Sequence, residues 1–203
     1  MGTRQGSRED GLNMRTLIIL GNTREKSNTK ALAAVFADVI SAKGAEVRQI
    51  PLMEKNVQTC VGCDACHSIC DSFGCAISDD MHEIADEILA SDLVVLASPI
   101  YIWMPTPPLK AVMDRLYAFT KYPKFPSFDG AFNLGKKQKY AMLATCGDDP
   151  KTNCDLFDES VRRMAKFANL PYIGYLAARD NSGGNIITEN VIADVHAFVE
   201  KCF

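Results

Sequence analysis

A chain of 203 residues, 47% apolar and 23% charged, is long enough to bury one full hydrophobic core. Its net charge of -3, spread without basic blocks, gives no electrostatic hold on nucleic acid or an anionic membrane. Residues 1–13 are polar and contain neither a secretory core nor a membrane span, so the expectation is a cytoplasmic protein with a tail at 1–13 and one domain at 14–203. Eight cysteines are present, five of them within residues 60–75, and that clustering favours metal or redox chemistry over disulfide stapling.

The apolar run Thr16-Leu17-Ile18-Ile19-Leu20 is too short for a helix and predicts a strand at 15–20 buried on both faces. A helix follows at 28–43, where Leu32, Val35, Phe36, Val39 and Ile40 recur at helical spacing and Gly44 stands at the C-terminal cap. Residues 46–50 read as a second strand. A cysteine-rich insertion at 58–79 then interrupts before Asp79-Asp80 opens a helix to about residue 90. Further strands are predicted at 93–97, 139–145 and 173–178, with helices after Pro107-Pro108, at 156–168 and at 189–201. Five strand–helix units predict an α/β fold, a five-stranded parallel sheet covered by helices on both faces. Its ligand belongs at the carboxyl ends of the strands, near the topological switch point.

Three loops at that end carry the chemistry. The first runs from Gly21 into the first helix and offers Asn22, Arg24, Ser27, Asn28 and Thr29. Hydroxyls, amides, a guanidinium and the free N–H groups of a helix start suit a phosphate, although Ser27 or Asn28 could equally be a simple helix cap. The loop lacks the glycines of a dinucleotide fingerprint and the Gly-Lys-Ser/Thr of a nucleoside triphosphate site. The second loop, Ser98-Pro99-Ile100-Tyr101-Ile102-Trp103, combines aromatic faces with a stiffened backbone, as a flat ring requires. The third supplies Thr145, Cys146 and Gly147, with Cys146 as a lining residue.

Taken in order, Gly21-Asn22-Thr23-Arg24, Ser27-Asn28-Thr29, Asp79-Asp80-Met81, Ser98-Pro99-Ile100-Tyr101, Leu109-Lys110 and Asp114-Arg115 resemble the NADPH-dependent FMN reductases. Within that family the chain is most similar to the iron–sulfur flavoprotein branch, where a compact cysteine motif precedes Asp-Asp-Met. The resemblance implies a flavodoxin-like doubly wound fold. It also implies that Asn22, Arg24, Ser27, Asn28 and Thr29 hold the FMN phosphate, and that Pro99, Ile100, Tyr101 and Ile102 border the flavin ring. NAD(P)H would be the co-substrate, a small molecule such as a quinone or flavin the electron acceptor, and the assembly a homodimer or homotetramer.

The cysteine segment places Cys60, Cys63 and Cys66 at intervals of three, with Cys70 and Cys75 beyond. By the same resemblance Cys60, Cys63, Cys66 and Cys75 would hold a [4Fe–4S] cluster, Cys70 being the other choice for the fourth thiolate. Zinc, taken by the Cys-x-x-Cys pairs and His67, and free redox-active thiols are open at this point. An electron carrier that exchanges electrons with a ferredoxin-like protein is the second reading, and a metal or thiol regulatory module the third. Asp114-Arg115 reads as a helix-surface or interface pair, and Lys136-Lys137 as solvated charge.

Overall fold

The computed structural model describes residues 14–135, 138–180 and 184–203. The tail expected at 1–13 and the solvated charge at Lys136-Lys137 lie outside the described residues. In chain order the elements are β1 (Arg15–Leu20), α1 (Asn28–Ala42), β2 (Glu46–Pro51), α2 (Met81–Ala90), β3 (Leu93–Tyr101), β4 (Met104–Pro105) and α3 (Pro107–Arg115). They continue with β5 (Thr120–Lys121), β6 (Phe132–Asn133), β7 (Lys139–Cys146), α4 (Pro150–Asn153), α5 (Asp155–Ala168), β8 (Tyr172–Arg179) and α6 (Glu189–Glu200). Single 3-10 turns occupy Leu52–Glu54 and Leu116–Phe119.

Five strands form a parallel sheet in the order β2-β1-β3-β7-β8, the flavodoxin-like doubly wound topology. The strands read as continuous apolar runs because both faces are covered. Leu17, Ile19, Val94, Leu96, Met142 and Ala144 face a core completed by α2, α3 and α5. The alternate residues Ile18, Leu20, Leu93, Val95, Ala97, Ala141 and Leu143 face a second core completed by α1 and α6. On α1 the buried stripe is Leu32, Ala33, Phe36, Ala37 and Ile40, which keeps Leu32, Phe36 and Ile40 of the predicted stripe and leaves Val35 and Val39 at its partly buried edge.

The chain leaves β1 for β2 on one side and returns to β3 on the other, so the switch point lies between the carboxyl ends of β1 and β3. Gly21 sits in that gap. Its N–H donates to Ala97 O at 2.7 Å, and its carbonyl accepts from Thr106 Oγ1 at 2.5 Å. Thr106 N–H in turn donates to Ser98 Oγ at 3.0 Å, which ties the first two loops to the start of α3. A Cβ at Gly21 would lie 2.8 Å from Leu109 Cβ, so this close approach requires glycine.

β3 runs four residues past its expected end at 97 and turns back through β4, which pairs with it antiparallel: Ile100 opposite Pro105, Tyr101 opposite Met104. The two connecting residues, Ile102 and Trp103, have φ of 49° and 60°, the signs of a type I′ hairpin turn.

Candidate functional site

A cleft of about 730 Å³ opens at the switch point, within the usual range for a cofactor site. The first loop and the start of α1 contribute Thr23, Arg24, Lys26, Ser27, Asn28 and Thr29, and the end of β3 contributes Pro99, Ile100 and Tyr101. Thr145, Cys146 and Gly147 close a third side, and Asp180 and Gly184, beyond β8, a fourth.

The end of the cleft formed by the first loop is built from what α1 lacks. Ser27 occupies the N-cap position with extended backbone, yet its hydroxyl makes no capping bond, and the first turn holds no acidic residue. The free first-turn N–H groups and the Ser27 hydroxyl are therefore available to an anion, with Arg24 and Lys26 adding positive charge. Thr29, fully buried, bridges to Thr145 with the hydroxyls 2.6 Å apart, which joins the first and third loops beneath the cleft. Across the opening the Thr23 and Tyr101 hydroxyls stand 3.3 Å apart, linking the first loop to the end of β3. The donor set fits a phosphate at one end, and the Pro99–Tyr101 wall fits a flat ring at the other.

Ten of the twelve residues expected around FMN line this cleft; Asn22 and Ile102 do not. Asn22 is 1% exposed and braces the loop from inside, its side-chain amide donating to Arg24 O at 2.8 Å. Ile102, 83% exposed, points outward because the hairpin turn carries it past the cleft wall. Trp103, expected as a stacking aromatic, instead donates its indole N–H to Thr152 O at 3.1 Å. Thr23, Lys26, Asp180 and Gly184 are additional lining residues. Asp180 and Gly184 could have been found by extending the carboxyl-end rule to the fifth parallel strand.

The cysteine segment carries five of the chain's free thiols. Cys60 and Cys63 are exposed, while Cys66, Cys70 and Cys75 are partly buried. Among the described residues no three His, Cys, Asp or Glu side chains converge as metal ligands. The four-thiolate set expected at Cys60, Cys63, Cys66 and Cys75, and the zinc set with His67, are not drawn together as ligands in this arrangement. Two buried cations hold the segment in this shape. Arg115 Nη2 donates to Cys75 Sγ at 3.3 Å, and Nη1 pairs with Asp79 at 2.5 Å. Lys121 Nζ donates to the Cys66 and Phe73 carbonyls, each at 3.0 Å.

Burial opposes ionisation of Asp79, but hydrogen bonds from Arg115 and from the Gln58 and Met81 N–H groups outweigh it and hold the carboxyl below its ordinary pKa. Burial also lowers the Lys121 pKa and raises that of Cys66. Arg115, expected on the helix surface, is 2% exposed; its neighbour Asp114 makes the surface pair, with Lys110 at 2.6 Å. His67 is enclosed by the rings of Tyr117, Tyr122 and Phe125, with centroids 4.9 to 5.1 Å away.

A doubly wound sheet with a phosphate-ready loop and a ring wall at its switch point defines a mononucleotide-binding class of protein. Residues 14–150 match the model of the NADPH-dependent FMN reductases, and the chain belongs to that family. It is 32% identical over 102 residues to an iron–sulfur flavoprotein of Methanocaldococcus jannaschii, an alignment covering 50% of this chain and 51% of that one. The chain therefore matches about half the length of that relative. It is 26% identical over 177 residues to YwqN of Bacillus subtilis, named as an NAD(P)H-dependent FMN-containing oxidoreductase, covering 87% of this chain and 91% of that protein. The fold is similar to that of an NAD(P)H:quinone oxidoreductase from Methanothermobacter marburgensis, with TM-score 0.70, 13% identity, and coverage of 94% and 98%. Among the described residues no helix is long and apolar enough to cross a membrane.

Proposed function

We propose that the chain is an FMN-dependent oxidoreductase that takes electrons from NAD(P)H and passes them to a small-molecule acceptor such as a quinone or a flavin. The observation that carries this reading is the cleft, which joins an uncapped, cation-flanked helix start to a flat wall of loop residues. Arg24, Lys26, Ser27, Asn28 and Thr29 would hold the FMN phosphate. Pro99, Ile100 and Tyr101 would border the ring on one side, and Thr145, Cys146 and Gly147 on another. FMN, when bound, accepts a hydride and returns the electrons.

The protein's own work is placement. Free N–H groups at the start of α1 neutralise the phosphate, the Thr23–Tyr101 contact fixes the spacing between phosphate and ring, and the loop walls exclude water. No side chain is assigned as acid or base, since hydride transfer needs none. A homodimer or homotetramer would cover Tyr101, Ile102 and Trp103, which are 46%, 83% and 46% exposed beside the cleft. The second reading, an electron carrier with a ferredoxin-like partner, is supported by the iron–sulfur flavoprotein among the relatives and requires a cluster on the cysteine segment.

The test is anaerobic mixing of FMN-loaded protein with NADH or NADPH while flavin absorbance is followed. Rapid bleaching, reversed by a quinone, supports the reading. A flavin that stays oxidised with both nucleotides overturns it.

A further inference from the structure

A second cavity, of about 230 Å³, lies among the last turn of α3, the 3-10 turn at Leu116–Phe119, the end of α5 and the start of β7. Gln138 and Tyr140 place it at the amino end of β7, whereas Thr145, Cys146 and Gly147 line the cleft at the carboxyl end. At a strand rise of about 3.3 Å per residue, the two sites stand about 20 Å apart along β7. A hollow of about 390 Å³ adjoins the cavity and shares Thr120, Asn133, Gly135, Phe167, Ala168 and Leu170 with it.

The walls of this cavity are mainly apolar. Met113 and Met164 line it together with Phe119 and the stacked rings of Tyr117 and Phe167, whose centroids are 5.7 Å apart. Methionines and aromatic rings together favour contact with another flat ring. Asp114, the charged residue in the wall, already pairs with Lys110 Nζ at 2.6 Å. Gln138 is the polar group that stands out: it is 5% exposed, its Nε2 donates to Ile88 O at 3.0 Å, and among the described residues its buried Oε1 has no hydrogen-bond partner. Gly135, also in the wall, has no side chain to cover that oxygen, and a Cβ there would collide with it. A buried carbonyl oxygen without a partner is costly, and an O–H or N–H brought by a ligand removes that cost.

We propose that this cavity binds a neutral aromatic molecule of one or two fused rings that carries an O–H or N–H donor, a phenol or an indole. Its rings lie against Met113, Phe119 and Met164, and its donor reaches Gln138 Oε1. The size agrees: a cavity of about 150 Å³ is enough for benzene, whereas cofactor pockets begin at about 300 Å³. The site therefore admits such a molecule and excludes FMN and NAD(P)H. It shares no wall residue with the cleft, so it stands whether or not the cleft holds FMN.

The experiment is NMR of the full chain with carbon-13 in its methionine methyl groups, titrated with indole and with indene, which has the same shape but no N–H. The Met113 and Met164 signals are assigned through Met113→Leu and Met164→Leu. Indole is expected to shift both signals saturably and to bind about tenfold more tightly than indene, the value of one hydrogen bond. Gln138→Met should bring indole down to the affinity of indene. Because that change also removes the bond to Ile88 O, Ala168→Leu provides a second variant, expected to fill the cavity and weaken both probes alike. Unmoved Met113 and Met164 signals at saturating indole, or equal affinity for indole and indene in the unaltered chain, would overturn the proposal. So would shifts of the same two signals on raising protein concentration without a probe, which would assign this face to a second copy of the chain.

Discussion

At the scale of single residues, Gly21 and Ser27 separate structural from binding roles. Gly21 holds its place by size, since an alanine Cβ would meet Leu109 Cβ at 2.8 Å and Thr106 Oγ1 at 3.0 Å. Gly21→Ala is expected to cost about 1–3 kcal/mol in urea unfolding by overpacking. Ser27 stands at an N-cap position without capping, so Ser27→Ala should leave stability within about 0.5 kcal/mol of the parent. The same change should weaken FMN binding about tenfold in a fluorescence titration, the value of one hydrogen bond to a charged group. A stability loss near 1 kcal/mol with unchanged FMN affinity would instead make Ser27 a simple cap.

Asp79 carries a pH dependence whose sign can be worked out. Its folded pKa is depressed, so its contribution is present above the ordinary carboxylate range and is lost as pH falls through the lower folded value. Asp79→Asn should destabilise by about 3–5 kcal/mol at neutrality, because it leaves Arg115 buried without its partner. It should also flatten the acid limb of a stability-against-pH curve. The Asp79–Arg115 pair was not legible in the sequence: its members lie 36 residues apart, and helical spacing gives no sign that the last residue of α3 turns inward against the cysteine segment. The phosphate-loop residues were legible because their chemistry is local, a run of donors placed between a buried strand and a helix.

Among the elements, the β3–β4 hairpin departs furthest from the sequence-based expectation. An apolar run shows where a strand begins but not that it continues through Ser98-Pro99 and turns back after Tyr101. The turn uses Ile102, a β-branched residue, at φ 49°, where asparagine or glycine is favoured. Such backbone strain costs about 1–3 kcal/mol and concentrates at functional sites. Ile102→Asn, at a position 83% exposed, is expected to raise stability by about 1 kcal/mol in thermal unfolding and to leave FMN affinity unchanged, since Ile102 lies outside the cleft. The main strands and helices were readable because burial on both faces yields uninterrupted apolar runs and helices show their stripe. The cysteine segment was readable as a cluster of thiols but not as a shape, because its backbone follows Arg115 and Lys121, two cations supplied from the region of α3 and β5.

For the molecule as a whole, sheet order and site are one fact: the crossover between β1 and β3 creates the gap, Gly21 and Thr106 seal its base, and the loops at the strand ends furnish its walls. The central claim is that this cleft holds FMN. The most direct measurement is titration of flavin-free protein with FMN, followed by flavin fluorescence and calorimetry, beside riboflavin, which lacks the phosphate. The account expects one FMN per chain and binding of riboflavin weaker by at least about a hundredfold, because the start of α1 with Arg24 and Lys26 would be left without its anion. Equal affinity for the two, or no binding of FMN by folded protein, would contradict it.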